Sequence, residues 1–359
     1  MAPLIKELKK YPDFFDIKIC LTGQHRQMLD QINAFFNIHG DYDLNLMTPN
    51  QTLFDITARC LLGLREILDA DSPDLIFVQG DTTSVMTGAL SGFYKKIPVA
   101  HLEAGLRSGN KHSPFPEEVN RIITGHLANY HFTPTLMAVE NLKNEGITDN
   151  IYMVGNTVID ALYLGLDIIK NNQNMEKYQI FFNFLDFSKK IILVTGHRRE
   201  SFGVGFEQIC QAISTMAKEY QNVQFVYPMH LNPSVREPVN RILGSTKNVF
   251  LLEPLDYPYL LFLMEKCYFV LTDSGGIQEE APALGKPVLV MRDVTERQEG
   301  IDAGTALLVG TKYDSIVSFM KKLLENDAIY SAMANSVNPY GDGTTSKKIA
   351  EILMNRIYK

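Results

Sequence analysis

A chain of 359 residues, 45% hydrophobic and 21% charged, excludes a fibre or a disordered chain and is long enough for two domains of ordinary size. Its 34 basic and 41 acidic residues leave a formal charge of −7, which disfavours binding to nucleic acid or an anionic membrane, so an anionic substrate needs a local basic pocket. Cys20, Cys60, Cys210 and Cys267 are widely spaced in apolar patterns and read as reduced core residues. No apolar run approaches the roughly 20 residues that span a bilayer. The first 11 residues lack the apolar middle of a signal peptide, so the expectation is a cytoplasmic protein with no membrane insertion.

In chain order, a helix is predicted over 3–10 and a strand over 17–21, so the chain begins on a helix with no strand before it. Doubly wound domains begin with the strand that becomes central to the sheet, and the beginning of this domain is expected to be missing. Helices over 28–36 and 55–69 precede a strand over 74–78, which ends in Gln79-Gly80-Asp81 ahead of a small-residue helix. A strand over 97–102 ends in Glu103-Ala104-Gly105, and a turn-rich stretch over 107–118 leads to a helix over 119–129. Short strands over 130–132 and 151–154 close the series. A second alternating series follows, with strands over 190–195, 223–227, 249–252, 269–272, 287–291 and 306–309 and helices between them. Such alternation predicts an α/β protein of two Rossmann-like domains built on parallel sheets, with a central cleft lined by strand carboxyl ends. The expected division is a first domain over 1–154, a second over 155–343 and a last helix over 344–359 returning to the first.

The most informative stretch runs from Tyr268 to Met291: a strand, the tight turn Asp273-Ser274-Gly275-Gly276, a helix and the next strand. Two glycines let backbone approach a ligand, and a helix start offers amides and a positive dipole end, which together make a phosphate seat. A capped turn that holds nothing is the plainer reading. Glu279 and Glu280 either cap this helix or accept hydrogen bonds from a ribose diol. Polar residues also end other apolar strands: Asp81, Glu103, His197 with Arg198 and Arg199, and His230. Strand ends are where open αβ sheets place ligands, although an aspartate there more often caps a helix.

Asp81, Glu103 and Glu117 come from the first half, whereas the basic and glycine-rich features come from the second. A nucleotide sugar fits that division, with diphosphate held by the second domain and the sugar facing acids of the first. Surface carboxylates never brought together fit the spacing equally well. His197 and Arg297 are candidates to hold a departing phosphate oxygen. No histidine pair has ligand spacing on a helix face, so no metal is expected. Gly203-Val204-Gly205 follows a polar loop and lacks a third glycine, which argues against NAD, and no cofactor is expected.

The motifs QHR (24–26), QGDTTS (79–84), HLEAGLRSG (101–109), SPFPEE (113–118), GNTVID (155–160), TGHRRESFG (195–203), HLNPSVREP (230–238), TDSGGIQEEAPALGKPVLVMRDVTER (272–297) and NPYGDG (338–343) cover nearly the whole chain. In combination they resemble the non-hydrolysing UDP-N-acetylglucosamine 2-epimerases of bacteria. The resemblance implies the two-domain fold of one large glycosyltransferase class (GT-B), a homodimer, and interconversion of UDP-GlcNAc and UDP-ManNAc for surface polysaccharide synthesis. It implies that UDP leaves first, giving 2-acetamidoglucal, and re-adds after a proton returns to the other face of C2. It casts Asp81, Glu103 and Glu117 as acid, base and cation-stabilising groups and His197 as an aid to UDP departure. Ser274, Gly275 and Gly276 would hold phosphate, Glu280 the ribose and Arg297 the nucleotide. It also implies an activating second UDP-GlcNAc near Gln24, Gln27, Glu117, Arg198 and His230, although Asn50 stands where some members have arginine. The family begins with a strand, a Gly-Thr-Arg-Pro-Glu turn and a lysine, and Met1 to Leu4 aligns just beyond them. Competing readings are a glycosyltransferase with the same cleft, a hydrolysing epimerase, and an inactive truncated form that only binds nucleotide sugars.

Overall fold

The computed structural model describes residues 1–23, 26–48, 50–171 and 175–357. The chain forms two compact units, one of residues 1–161 and 340–359 and the other of residues 162–339. The division falls within the helix Thr157–Asn171. Both units are α/β with parallel sheets, the class expected from the alternation of strands and helices.

In the first unit, β1 (Cys20–Leu21) pairs with β2 (Tyr42–Asp43), while β3 (Ile76–Gln79), β4 (Val99–Leu102), β5 (Tyr130–Thr133) and β6 (Ile151–Met153) form a four-stranded sheet in that order. Phe132 of β5 stacks on Tyr152, its register partner on β6, a cross-strand aromatic pair that favours this register, and its ring also stacks with Phe77 of β3. One side of the sheet is covered by two terminal helices: Leu4 and Leu8 of Ala2–Leu8 pack with Ile349 and Ala350 of Thr345–Ile352 against Ala100, Leu102 and Phe132. Asp160 fixes the later helix by accepting from the amides of Thr345 (3.2 Å) and Ser346 (2.7 Å), two of the donors a helix start leaves unpaired. The free edges of β1 and β3 line a common cavity of about 800 Å³, whose walls include Leu4, Ile19, Leu29 and Phe77.

The second unit holds β7 (Lys190–Thr195), β8 (Val223–Pro228), β9 (Val249–Leu252), β10 (Phe269–Thr272), β11 (Val288–Val290) and β12 (Ala306–Leu308) in the order β12-β11-β10-β7-β8-β9. Ile191 to Val194 and Phe269 to Leu271 are almost entirely buried, as a parallel sheet covered on both faces requires. Among the described residues no helix is long and apolar enough to cross a membrane. Cys60, Cys210 and Cys267 are buried free thiols, and Cys20 is half-buried.

Several elements escape the periodicity. The expected strand over 17–21 narrows to two residues, since Ile19 spends its carbonyl on the amides of Asp41 and Tyr42 and its own amide on the Asp41 side chain. Helices Leu136–Asn144 and Asp327–Ala334 also form where no helix is expected, started by side-chain caps from Thr135 and Asn326.

His101 and His131 face each other across β4 and β5, both buried, and desolvation pushes their pKa values down to about 3 and about 4. In the unfolded chain they titrate near 6.5, so between these limits the unfolded state binds more protons. Stability present above about pH 6.5 is therefore expected to fall steadily as pH drops toward 4, read by melting temperature; a flat profile over that range contradicts this. Gly105 has a φ of +83°, and a Cβ there would meet the Ala138 carbonyl oxygen at 2.0 Å. Gly105→Ala is expected to cost about 3 kcal/mol or more in a denaturant melt, by strain and overlap combined.

Candidate active-site residues

Asp81 follows the carboxyl end of β3 and Glu103 that of β4, so two adjacent parallel strands carry both carboxylates to one edge of the first unit. Glu103 has a φ of 60°, a left-handed conformation that side chains other than glycine rarely adopt. Its neighbours hold it there: the carbonyl accepts from Arg121 Nη1 at 3.0 Å, and Oε1 accepts from Gln79 Nε2 at 2.7 Å. Gln79 is itself held by Thr157 Oγ1 at 3.1 Å.

Arg121 gathers the acids. It lies within the helix Glu117–Leu127, is buried, and reaches Asp81 Oδ2 at 2.7 Å and Glu103 Oε2 at 3.6 Å. Asn120 beside it donates to the Asp81 carbonyl at 2.9 Å, and buried Glu118 accepts the amides of Ser108 and Gly109, both at 2.9 Å. One helix thus fixes both the Asp81 turn and the loop after Glu103. Glu117 stands one helical turn before Arg121 on the same face. Its Oε2 is buried and finds no hydrogen-bond partner among the described residues.

In the second unit the strand order reverses between β7 and β10, where the chain leaves toward β8 and β9 on one side and β11 and β12 on the other. Such a reversal opens a crevice at the strand carboxyl ends. His197 follows β7 and Ser274 follows β10. Buried Asp273 links the two turns, its Oδ2 accepting the amides of His197 and Arg198, both at 2.7 Å. The His197 ring stacks on His230 with centroids 5.4 Å apart and planes at 15°. Partial burial lowers the His197 pKa; Asp273 opposes this, while His230 and Arg198 add to it.

The turn at 273–276 differs from the expected tight loop. Ser274 is the N-cap of the helix Gly275–Ala283, and both glycines are in its first turn without positive φ. Neither strain nor a clash requires the glycines: a Cβ on Gly275 would lie 3.4 Å from the Arg297 guanidinium carbon and one on Gly276 3.9 Å from Glu280 Oε2, both ordinary contacts. Arg297 donates from Nε to Glu279 Oε1 at 2.9 Å, which ties the cation to the helix start. Glu280 is buried and accepts from the Tyr257 hydroxyl at 3.1 Å. Burial pushes its carboxyl up to about 7 against the pull of the Tyr257 bond, with Glu279 adding to the rise.

Of the residues expected for a second ligand, Arg198 and exposed His230 flank His197, Arg198 lying 3.8 Å from Glu296. Gln24 lies outside the described residues, as does the side chain of Gln27, and Asn50 is exposed with a φ of 56°. Arg121, Gln79 and Tyr257 were not anticipated. The spacing of Arg121 four residues after Glu117 was the available signal for the first; the other two carried none.

The model of the family described as UDP-N-acetylglucosamine 2-epimerase matches residues 6–354. The chain is 53% identical to the UDP-N-acetylglucosamine 2-epimerase of Escherichia coli K12 over 357 residues, covering 99% of this chain and 95% of that one. It resembles the crystal structure of the Neisseria meningitidis UDP-GlcNAc 2-epimerase bound to UDP-GlcNAc, with a TM-score of 0.91, 47% identity, and coverage of 99% and 96%. It also resembles the Methanocaldococcus jannaschii enzyme in complex with UDP-GlcNAc and UDP, at a TM-score of 0.80, 33% identity, and coverage of 98% and 95%. By sequence over almost its full length and by fold, the chain belongs to the UDP-N-acetylglucosamine 2-epimerase family.

Proposed function

We propose that this protein reversibly inverts C2 of UDP-N-acetylglucosamine to give UDP-N-acetylmannosamine, without a redox cofactor. The observation that carries this reading is the 53% identity to the Escherichia coli relative along 99% of the chain. The site chemistry supports it. The C2 proton of the substrate has no adjoining carbonyl and is not acidic, so C1–O cleavage leads, and the developing oxocarbenium makes that proton removable. UDP departs with the bonding pair, C2 loses its proton, and 2-acetamidoglucal results. Proton delivery to the other face of C2 and re-addition of UDP complete the inversion.

Asp81, Glu103 and Glu117 are the proton-transfer and cation-stabilising groups. Arg121 lets Asp81 and Glu103 stand close together as carboxylates, and the strained backbone of Glu103 is the kind of distortion that accumulates at functional sites. Ser274, Gly275 and Gly276 offer the diphosphate a helix start, with Arg297 adding its charge. Glu280 accepts the ribose hydroxyls, and His197 supports the departing phosphate oxygen. Arg198 and His230, with Gln24 and Gln27, receive an activating second UDP-GlcNAc. The working form is a cytoplasmic homodimer, and its product feeds surface polysaccharide synthesis.

Incubation with UDP-GlcNAc in D2O tests the reaction. Deuterium at C2 of both epimers is expected; a glycosyltransferase leaves C2 untouched, and a hydrolysing enzyme releases free ManNAc and UDP. Asp81→Asn, Glu103→Gln and Glu117→Gln should each lower epimerisation by roughly 10² to 10⁴-fold, with UDP affinity held within a few-fold. Unchanged turnover in all three would exclude the proposed acids. Arg121→Met leaves two carboxylates without their shared cation and is expected to lower stability by about 3 kcal/mol in a denaturant melt; an unshifted midpoint contradicts the role given to Arg121.

A further inference from the structure

We propose that Asp273 is the positioning residue for His197, holding the ring in the tautomer that carries hydrogen on Nδ1 and leaving Nε2 free to carry the proton given to the departing phosphate oxygen. The inference rests on the reading of His197 as the group that assists UDP, and it assigns a separate task to each oxygen of one buried carboxylate. Oδ2 is fully used by the amides of His197 and Arg198, both at 2.7 Å, so it shapes the turn. Oδ1 has no hydrogen-bond partner among the described residues, is buried, and lies 3.4 Å from His197 Nδ1. A buried carboxylate oxygen left facing an imidazole is costly unless the ring offers hydrogen to it. The distance is an ion-pair distance that tightens into a hydrogen bond when the ring takes up its second proton.

The arrangement is the carboxylate–imidazole relation in which the acid fixes tautomer and orientation and stabilises the imidazolium. Three neighbours set the charge balance at the ring. Asp273 favours protonation; His230, stacked on the ring, and Arg198, on the same turn, oppose it. Arg198 is partly offset by Glu296 at 3.8 Å. In the forward direction the C1–O bond breaks, its electron pair goes to the phosphate oxygen, and the Nε2 proton follows; on re-addition the same oxygen returns that proton to Nε2. Asp273 touches no reacting atom.

The test uses the full chain with ¹⁵N-labelled histidine, assigning the His197 signals by their loss in His197→Asn. In the wild type above the ring's pKa, the Nδ1–H tautomer is expected; an Nε2–H tautomer overturns the proposal without any variant needing to fold. Asp273→Asn retains one oxygen for the two amides but turns an NH₂ group toward Nδ1. It should switch the ring to the Nε2–H tautomer, lower its pKa, and reduce kcat about 10²-fold with KM within about threefold. If Asp273 merely braces the turn, tautomer and titration are unchanged in the variant. If His197→Asn itself retains full turnover, the reading of His197 fails instead, and the spectra still report on Asp273.

Discussion

Two carboxylates on adjacent strand ends repel each other unless a cation stands between them, and in the first unit that cation is Arg121. Its guanidinium is buried in a helix whose neighbouring residues, Glu118 and Asn120, hold the backbone of both carboxylate-bearing segments. Both carboxylate-bearing turns are therefore tied to one helix. The left-handed backbone of Glu103 is compatible with this, because Arg121 also binds its carbonyl and Gln79 binds its carboxylate. In the proposed reaction Arg121 is the link between fold and chemistry, since its guanidinium contacts both carboxyl groups.

In the second unit, the proposed reading needs positive character gathered where an anion would bind. Strand reversal between β7 and β10 leaves two turns side by side, and Asp273 ties them together through backbone amides. A helix start, Arg297 and the His197 turn then surround one sheet end. Burial pushes the Glu280 carboxyl up to about 7, and its Tyr257 hydrogen bond keeps it oriented at the helix start.

Much of this was legible in the sequence because parallel αβ sheets place ligands by rule. The apolar runs at 190–195 and 269–272 coincide with β7 and β10, and the polar residues after them, His197 and Ser274, stand at the sheet reversal. The same logic singles out Asp81 and Glu103, which share Arg121 as a neighbour. What the pattern hid was side-chain reach. An arginine within an amphipathic helix reads as a solvated face, and the four-residue step from Glu117 to Arg121 does not by itself say that Arg121 turns inward to two acids. Gln79 and Tyr257 escaped likewise, as their roles depend on strands and helices distant in sequence. The glycine pair at 275–276 opens a helix rather than forming a separate tight turn, because both residues have ordinary φ values and the helix follows directly on Ser274.

The central claim is that the sugar–oxygen bond breaks and re-forms within the site while UDP stays bound. Positional isotope exchange tests it most directly, using UDP-GlcNAc labelled with ¹⁸O in the bridge between C1 and the β-phosphorus. C1–O cleavage followed by rotation of the phosphate predicts that the label scrambles into nonbridging positions of recovered UDP-GlcNAc as epimerisation proceeds. Label that stays wholly in the bridge while C2 inverts would contradict the account.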